Sequence, residues 1–192
     1  MIGRRRFLQL GPAALSGALF VNWDKALGAL KATQPTILSR GIFDERFTES
    51  RIFGNALAAR GLRTSAIGGD IASLWYGDLR DQLRQTRVPF AGLTERSALF
   101  CLEELARDVG MRVVTRIDHT IDSDGVVRHE VSGPTSVKRA LQQLDTAGNF
   151  GRLSALLVMQ HDSHQARNAE AQKRFGPMAP ANTTALVTWA IA

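Results

Sequence analysis

Five polar residues stand where predicted strands end, and their types could serve ligand binding or hydrolysis. In open α/β sheets, ligands bind in the crevice beyond the carboxyl ends of the strands. Three carboxylates, one imidazole and one hydroxyl would meet at that edge, beside glycine-bearing turns at residues 68–69 and 92. We expect them within roughly 10–15 Å of one another, around a pocket of ordinary ligand size. This strand-end set consists of Asp44, Asp70, Thr94, Asp118 and His119.

Each member of the strand-end set also has a purely structural interpretation. Asp44 and Asp70 precede predicted helices, where aspartate is favoured by capping and by the helix dipole. His119 can simply hydrogen-bond beside a hairpin. A functional cluster would leave carboxylates unpaired, and their mutual repulsion would raise at least one carboxyl pKa. A structural role instead predicts carboxylates satisfied by helix N-termini or by arginines such as Arg46 and Arg116.

Histidine and cysteine residues offer two further candidates. His161 and His164 are three residues apart and could bind a metal with His119 or Asp118 as a third ligand. A polar surface segment explains the same spacing, so we predict no metal site. Cys101, the only cysteine, lies on the apolar side of a predicted helix, which predicts a buried and unreactive thiol.

The sequence lacks the fingerprints of cofactor enzymes. The glycines at 68–69 precede a predicted helix without forming the G-x-G-x-x-G pattern of dinucleotide-binding folds. There is no phosphate-binding P-loop, no G-x-S-x-G nucleophile elbow and no C-x-x-C-H haem attachment site. One cysteine cannot supply the thiolates of an ordinary iron–sulfur cluster. We predict no cofactor, and both enzymatic and non-enzymatic functions stay open.

Alternating strand and helix patterns must position these residues. The predicted strands cover residues 36–42, 63–69, 87–93, 111–121, 126–133 and 185–192. The predicted helices cover residues 44–61, 70–85, 95–110 and 135–148, with Thr94 as the N-cap of the third. The apolar run at 152–160 is compatible with either a strand or a helix.

This alternation predicts an α/β fold: one domain over residues 33–192, built as a three-layer sandwich. Its sheet is expected to be mostly parallel, with helices on both faces. A strong turn signal at residues 122–125 adds an antiparallel hairpin toward one edge.

The N-terminal residues have the order of an export signal. Three arginines precede an uncharged stretch at 7–23, which is rich in Gly, Ala and Pro and is a poor spanning helix. The run "RRRFLQ" resembles the twin-arginine export signal, with Gly3 and Gln9 replacing the usual hydroxyl residue and lysine. The residues that carry this resemblance are Arg4, Arg5, Phe7 and Leu8.

The resemblance implies that residues 1–32 are a signal peptide and that the protein is periplasmic. Twin-arginine signals are addresses read by a receptor, and their translocation machinery carries proteins that are already folded. The small-x-small triplet at 26–28 is the best cleavage site. Retention of the segment as an N-terminal membrane anchor stays open.

The charge balance argues against nucleic acid as a partner. The formal net charge is +6, and residues 1–28 contribute half of it. The other arginines are scattered through amphipathic segments, whereas nucleic-acid binders concentrate basic residues on one face.

The segments "GDIASLWYGDL" and "AGLTERSALFCLEELARDVGMRVV" resemble a family of exported bacterial α/β proteins with twin-arginine leaders. That resemblance assigns no role to any residue. A folded-export signal on a chain without a cofactor motif favours a non-catalytic accessory or assembly subunit of a periplasmic oxidoreductase. The alternative is a small-molecule-binding protein or hydrolase that uses the strand-end set.

Overall fold

The computed structural model describes residues 38–123, 126–133, 137, 150–159 and 183–192. The six strands are β1 (Arg40–Asp44), β2 (Thr64–Ile67), β3 (Phe90–Glu95), β4 (Val113–Ile121), β5 (Val127–Ser132) and β6 (Thr184–Ile191). Within these ranges the helices with defined bounds are α1 (Thr48–Ala58), α2 (72–85), α3 (Arg96–Arg107) and α4 (Phe150–Met159). Helix α2 contains a π-helical turn over Trp75–Leu79. None of the described helices is long and apolar enough to cross a membrane.

The strands form one mixed sheet in the order β2-β1-β3-β6-β4-β5. Strand β1 pairs in parallel with β2 and β3, while β3–β6, β6–β4 and β4–β5 are antiparallel. The α/β class and the edge hairpin are confirmed, but the prediction of a mostly parallel sheet is wrong. The physical reason is that β6 lies between β3 and β4, where it makes two antiparallel ladders.

The first four strands nevertheless run in one direction. Because β6 is antiparallel to both of its neighbours, β3 and β4 are co-directional with each other and with β1 and β2. The carboxyl ends of these four strands therefore lie at the same edge of the sheet, as the sequence predicted for the strand-end set.

Alternation along the strands divides the core between the two faces of the sheet. On the first face, Val187 and Trp189 of β6 pack with apolar residues of α2 and α3. On the second face, Leu186 and Ala190 pack with apolar residues of α1 and α4. Helices thus cover both faces of the sheet.

Several local predictions can be checked directly. Residues 152–159 of the ambiguous run belong to helix α4, whose residues are almost all buried. The N-cap prediction for Thr94 is wrong, because Thr94 lies within β3 and Glu95 caps a helix that begins at Arg96. The predicted signal peptide, nearly all of the helix at 135–148, and His161 and His164 lie outside the described residues.

Candidate functional site

Three members of the strand-end set form a row across the first face. Thr94 of β3 and Asp118 of β4 both pair with Val187 of β6. Asp44 ends β1 beside Thr94, one residue past the Phe43–Leu93 pair. Neighbouring strands are about 4.8 Å apart, so three strand steps separate the backbones of Asp44 and Asp118 by about 14 Å. The topology therefore brings these three residues to one edge.

Asp44 is fully buried and is held by Arg46. The guanidinium donates from Nε to Asp44 Oδ1 at 2.9 Å and from Nη2 to Oδ2 at 2.7 Å. Nη2 also donates to Glu95 Oε2 at 2.5 Å, which links the ends of β1 and β3. The hydrogen bonds that Arg46 donates to Asp44, and then the one to Glu95, raise the pKa of Arg46 above its ordinary value. Both Asp44 oxygens are therefore occupied by fixed donors.

Asp118 is held by two arginines. Arg116, two residues earlier in β4, donates to both carboxylate oxygens at 2.8 and 3.0 Å. Arg96, the first residue of α3, approaches Oδ1 at 2.9 Å. The hydrogen bond to Asp118 raises the pKa of Arg116. This pairing fastens the start of α3 to the middle of the sheet.

Asp70 and Thr94 are also satisfied locally. Asp70 is exposed and accepts a hydrogen bond from the backbone N–H of Ala72 at the start of α2, at 2.8 Å. The buried Thr94 hydroxyl accepts from Trp189 Nε1 at 3.0 Å and donates to the Glu95 carbonyl at 3.1 Å. Neither side chain has the arrangement of an activated nucleophile or base.

His119 lies on the second face, in a histidine cluster with His129, Thr188 and Phe150. Its Nδ1 is 2.7 Å from His129 Nδ1, and its Nε2 is 2.7 Å from Thr188 Oγ1. The Phe150 ring of α4 stacks on it with centroids 4.4 Å apart. Burial, and secondarily the charge of His129, hold the pKa of His119 well below its usual 6.5. The imidazole is therefore neutral near pH 7.

The strand-end set is thus divided between the two faces of the sheet. Asp118 and His119 are consecutive strand residues, so their side chains point to opposite sides. The contacts of Asp44, Asp70 and Asp118 are those that the structural interpretation predicted, with Arg46, Arg116 and a helix N-terminus as partners. Within the described ranges, no three His, Cys, Asp or Glu side chains form a group that could hold a metal ion.

Cys101 corrects a further prediction, since its side chain is exposed. Helix α3 buries Ala98, Leu99, Leu102 and Ala106, and Cys101 lies at the margin of that stripe. Successive residues of an α-helix are rotated by 100° about the helix axis. A residue next to a buried leucine can therefore face solvent.

Several residues of these contacts were not singled out from the sequence, among them His129, Thr188 and Arg96. His129 could have been found from the turn signal at 122–125, because a hairpin that turns near residue 124 places residue 129 opposite residue 119. No comparable signal marks Thr188 or Arg96, whose contacts depend on the position of β6 and on the packing of α3. No protein-family model matches the chain, and no curated protein or solved structure matches it either.

Proposed function

We propose that the protein is an exported periplasmic accessory protein that acts by binding a partner, an oxidoreductase subunit, and not by catalysis. The observation that carries this proposal is the pairing of Asp44 and Asp118 with arginines. A carboxylate that exchanges protons or attacks a substrate needs an accessible oxygen, whereas these oxygens accept short charge-assisted hydrogen bonds within the fold.

The export part of the proposal is supported by Arg4, Arg5, Phe7 and Leu8. The twin-arginine route carries folded proteins. A protein that has no cofactor motif of its own has a reason to use this route when it binds its partner before export. A periplasmic oxidoreductase is the partner class that fits this reason, because the twin-arginine route often carries proteins with a cofactor already inserted.

Two exposed aromatic side chains give the proposed partner a place to bind. Tyr76 projects from the π-helical turn of α2, and Phe100 projects from α3. Both helices cover the first face of the sheet. Aromatic residues are enriched where protein interfaces concentrate their binding energy.

Purification from the native host tests the binding proposal. We expect the wild-type chain to retain an oxidoreductase subunit in stoichiometric amount, and Phe100→Ala with Tyr76→Ala to lose it. The matched control is Val126→Ala, which removes another exposed apolar side chain at the hairpin and should retain the partner. A monomer that purifies alone with a bound small molecule would support the alternative, a ligand-binding protein or hydrolase.

Export is tested separately by replacing Arg4, Arg5 and Arg6 together with lysine. If only Arg4 and Arg5 were changed, Arg6 would remain beside a new lysine, and this pair could stand in for the twin-arginine motif one residue further along the chain. All three arginines are therefore changed. We expect folded protein to accumulate in the cytoplasm. If the triple variant reaches the periplasm as efficiently as the wild type, the signal has been misidentified.

A further inference from the structure

Strand β5 is an edge of the sheet, and no strand among the described residues pairs with its outer side. It is the last strand in the order of the sheet, next to β4. The backbone N–H of Asp122 donates to the Val126 carbonyl, and hydrogen-bonded pairs alternate along the ladder from there. Even-numbered residues of β5 therefore bond to β4, whereas the N–H and C=O groups of Val127 and Val131 point outward. Such an edge can accept a further strand.

The composition of β5 does little to discourage pairing. The strand has six residues, contains neither proline nor glycine, and pairs with β4 without a bulge. Natural edge strands are often protected by proline, by bulges, by very short length or by charged side chains. Apart from His129, the ionisable residues of β5 are Arg128 and Glu130, which lie on the same face and carry opposite charges. A strand with this pattern repels many partners but not a copy of itself.

Neither of these charges makes a close ion pair within the described part of the chain. The Arg128 side chain is 76% exposed and approaches Asp122 only at 3.8 Å. Glu130 is exposed and lies directly opposite Asp118 of β4, whose carboxylate already binds two arginines. Like charges in directly opposed positions repel each other. Both side chains are therefore available to a strand that brings the opposite charges.

We propose that the outer edge of β5 is a self-association site, to which a second copy of this chain adds its own β5 in antiparallel orientation about a two-fold axis at residue 129. In this register Arg128 lies opposite Glu130 of the second copy, and the symmetry repeats the pair on the other side of the axis. Val127 lies opposite Val131 of the second copy, and the two residues exchange both of their outward hydrogen bonds. The sheets of the two copies become one continuous sheet.

The charges select this register over its neighbours. An axis at residue 128 would oppose two copies of Arg128, and an axis at residue 130 would oppose two copies of Glu130. Both arrangements destabilise a sheet. The axis at residue 129 places the charged pairs at non-hydrogen-bonded positions, where opposed side chains approach most closely. The valines meet on the other face, where β-branched side chains pack well.

Sedimentation velocity of the full-length protein tests the site. We expect a reversible equilibrium between monomer and dimer, with dimer accumulating as the protein concentration rises to about 0.5 mM. The dimer should weaken with added salt, because its ion pairs are exposed to solvent. A chain that stays monomeric over the whole range would overturn the proposal.

Charge reversal assigns the dimer to β5. Arg128→Glu opposes two carboxylates at each contact, and Glu130→Arg opposes two guanidinium groups. Each variant alone should therefore dissociate at least about tenfold more readily than the wild type. An equal mixture of the two variants should form a heterodimer, because every contact then joins opposite charges. The double variant Arg128→Glu with Glu130→Arg should regain the homodimer for the same reason.

The matched control is Arg84→Glu, which makes the same change of net charge on an exposed residue of α2. Helix α2 contacts β1 through Arg40 and Gln82, on the side of the sheet away from β5. This control should dimerise like the wild type. Single reversals that still dimerise with wild-type affinity, or that fail to pair with each other on mixing, would refute the β5 site.

Amide exchange in the wild type gives a second measurement that needs no variant. The N–H groups of Val127 and Val131 should exchange more slowly as the protein concentration rises. The N–H groups of Arg128 and Glu130 already bond to β4, so their exchange should change much less. Exchange at both valines that does not depend on concentration would overturn the proposal.

Discussion

The substitution Asp44→Asn measures whether the strand-end carboxylates are structural. Asparagine has the shape of aspartate, but it removes the charge and presents an NH₂ donor where Arg46 also donates. Breaking a buried ion pair costs 3–5 kcal/mol when the partner stays buried without compensation. Arg46 is 44% exposed and keeps Glu95, so water and that carboxylate recover part of the loss. We expect a decrease in the free energy of unfolding of about 2–3 kcal/mol.

Urea unfolding followed by the fluorescence of the buried Trp75 and Trp189 gives this value. The matched control is Asp70→Asn, a second member of the strand-end set that is exposed and accepts a backbone N–H. Asparagine accepts such a hydrogen bond as well as aspartate, so this change should cost less than about 0.5 kcal/mol. A stable or stabilised Asp44→Asn would refute the structural interpretation, because functional carboxylates are often kept at the expense of stability.

Two further predictions concern packing and exposure. Gly92→Ala should lower the free energy of unfolding by about 3 kcal/mol in the same urea assay, because its Cβ would clash with the Trp189 ring and lie 2.7 Å from the Ile42 carbonyl. Gly77→Ala, where a Cβ meets nothing within 4 Å, should cost nothing, and equal losses for both would contradict the packing argument. Cys101 should react with a thiol reagent in the native protein at nearly the rate of a free thiol, and a reaction that needs denaturant would contradict its exposure.

The sequence predicts the elements of this fold better than their arrangement. Strands β1 to β6 and helices α1 to α3 overlap the predicted segments, because each carries its own periodicity or turn signals. The position of β6 is not encoded locally. An apolar strand such as residues 184–191 can be buried at any interior place in a sheet, and only tertiary packing places it between β3 and β4.

The candidate site illustrates the same division. The common edge for Asp44, Thr94 and Asp118 follows from strand direction, which the sequence indicated. Grouping His119 with Asp118 was avoidable, because consecutive residues of a strand point to opposite faces. The arginine partners are only partly predictable: Arg46 and Arg116 are near in sequence to the carboxylates they bind, whereas Arg96 reaches Asp118 through the packing of α3.

The central position of β6 has a consequence for how the chain folds. Phe90 and Val113 both pair with Ile191, so the sheet is completed only by contacts between distant parts of the sequence. Before β6 arrives, β1–β3 and β4–β5 are two separate fragments, and β3 and β4 each present an open edge to other chains. Long-range pairing of this kind slows folding and prolongs exposure to aggregation. Under the export that we propose, a route that accepts only completed folds would keep such half-assembled sheets out of the periplasm.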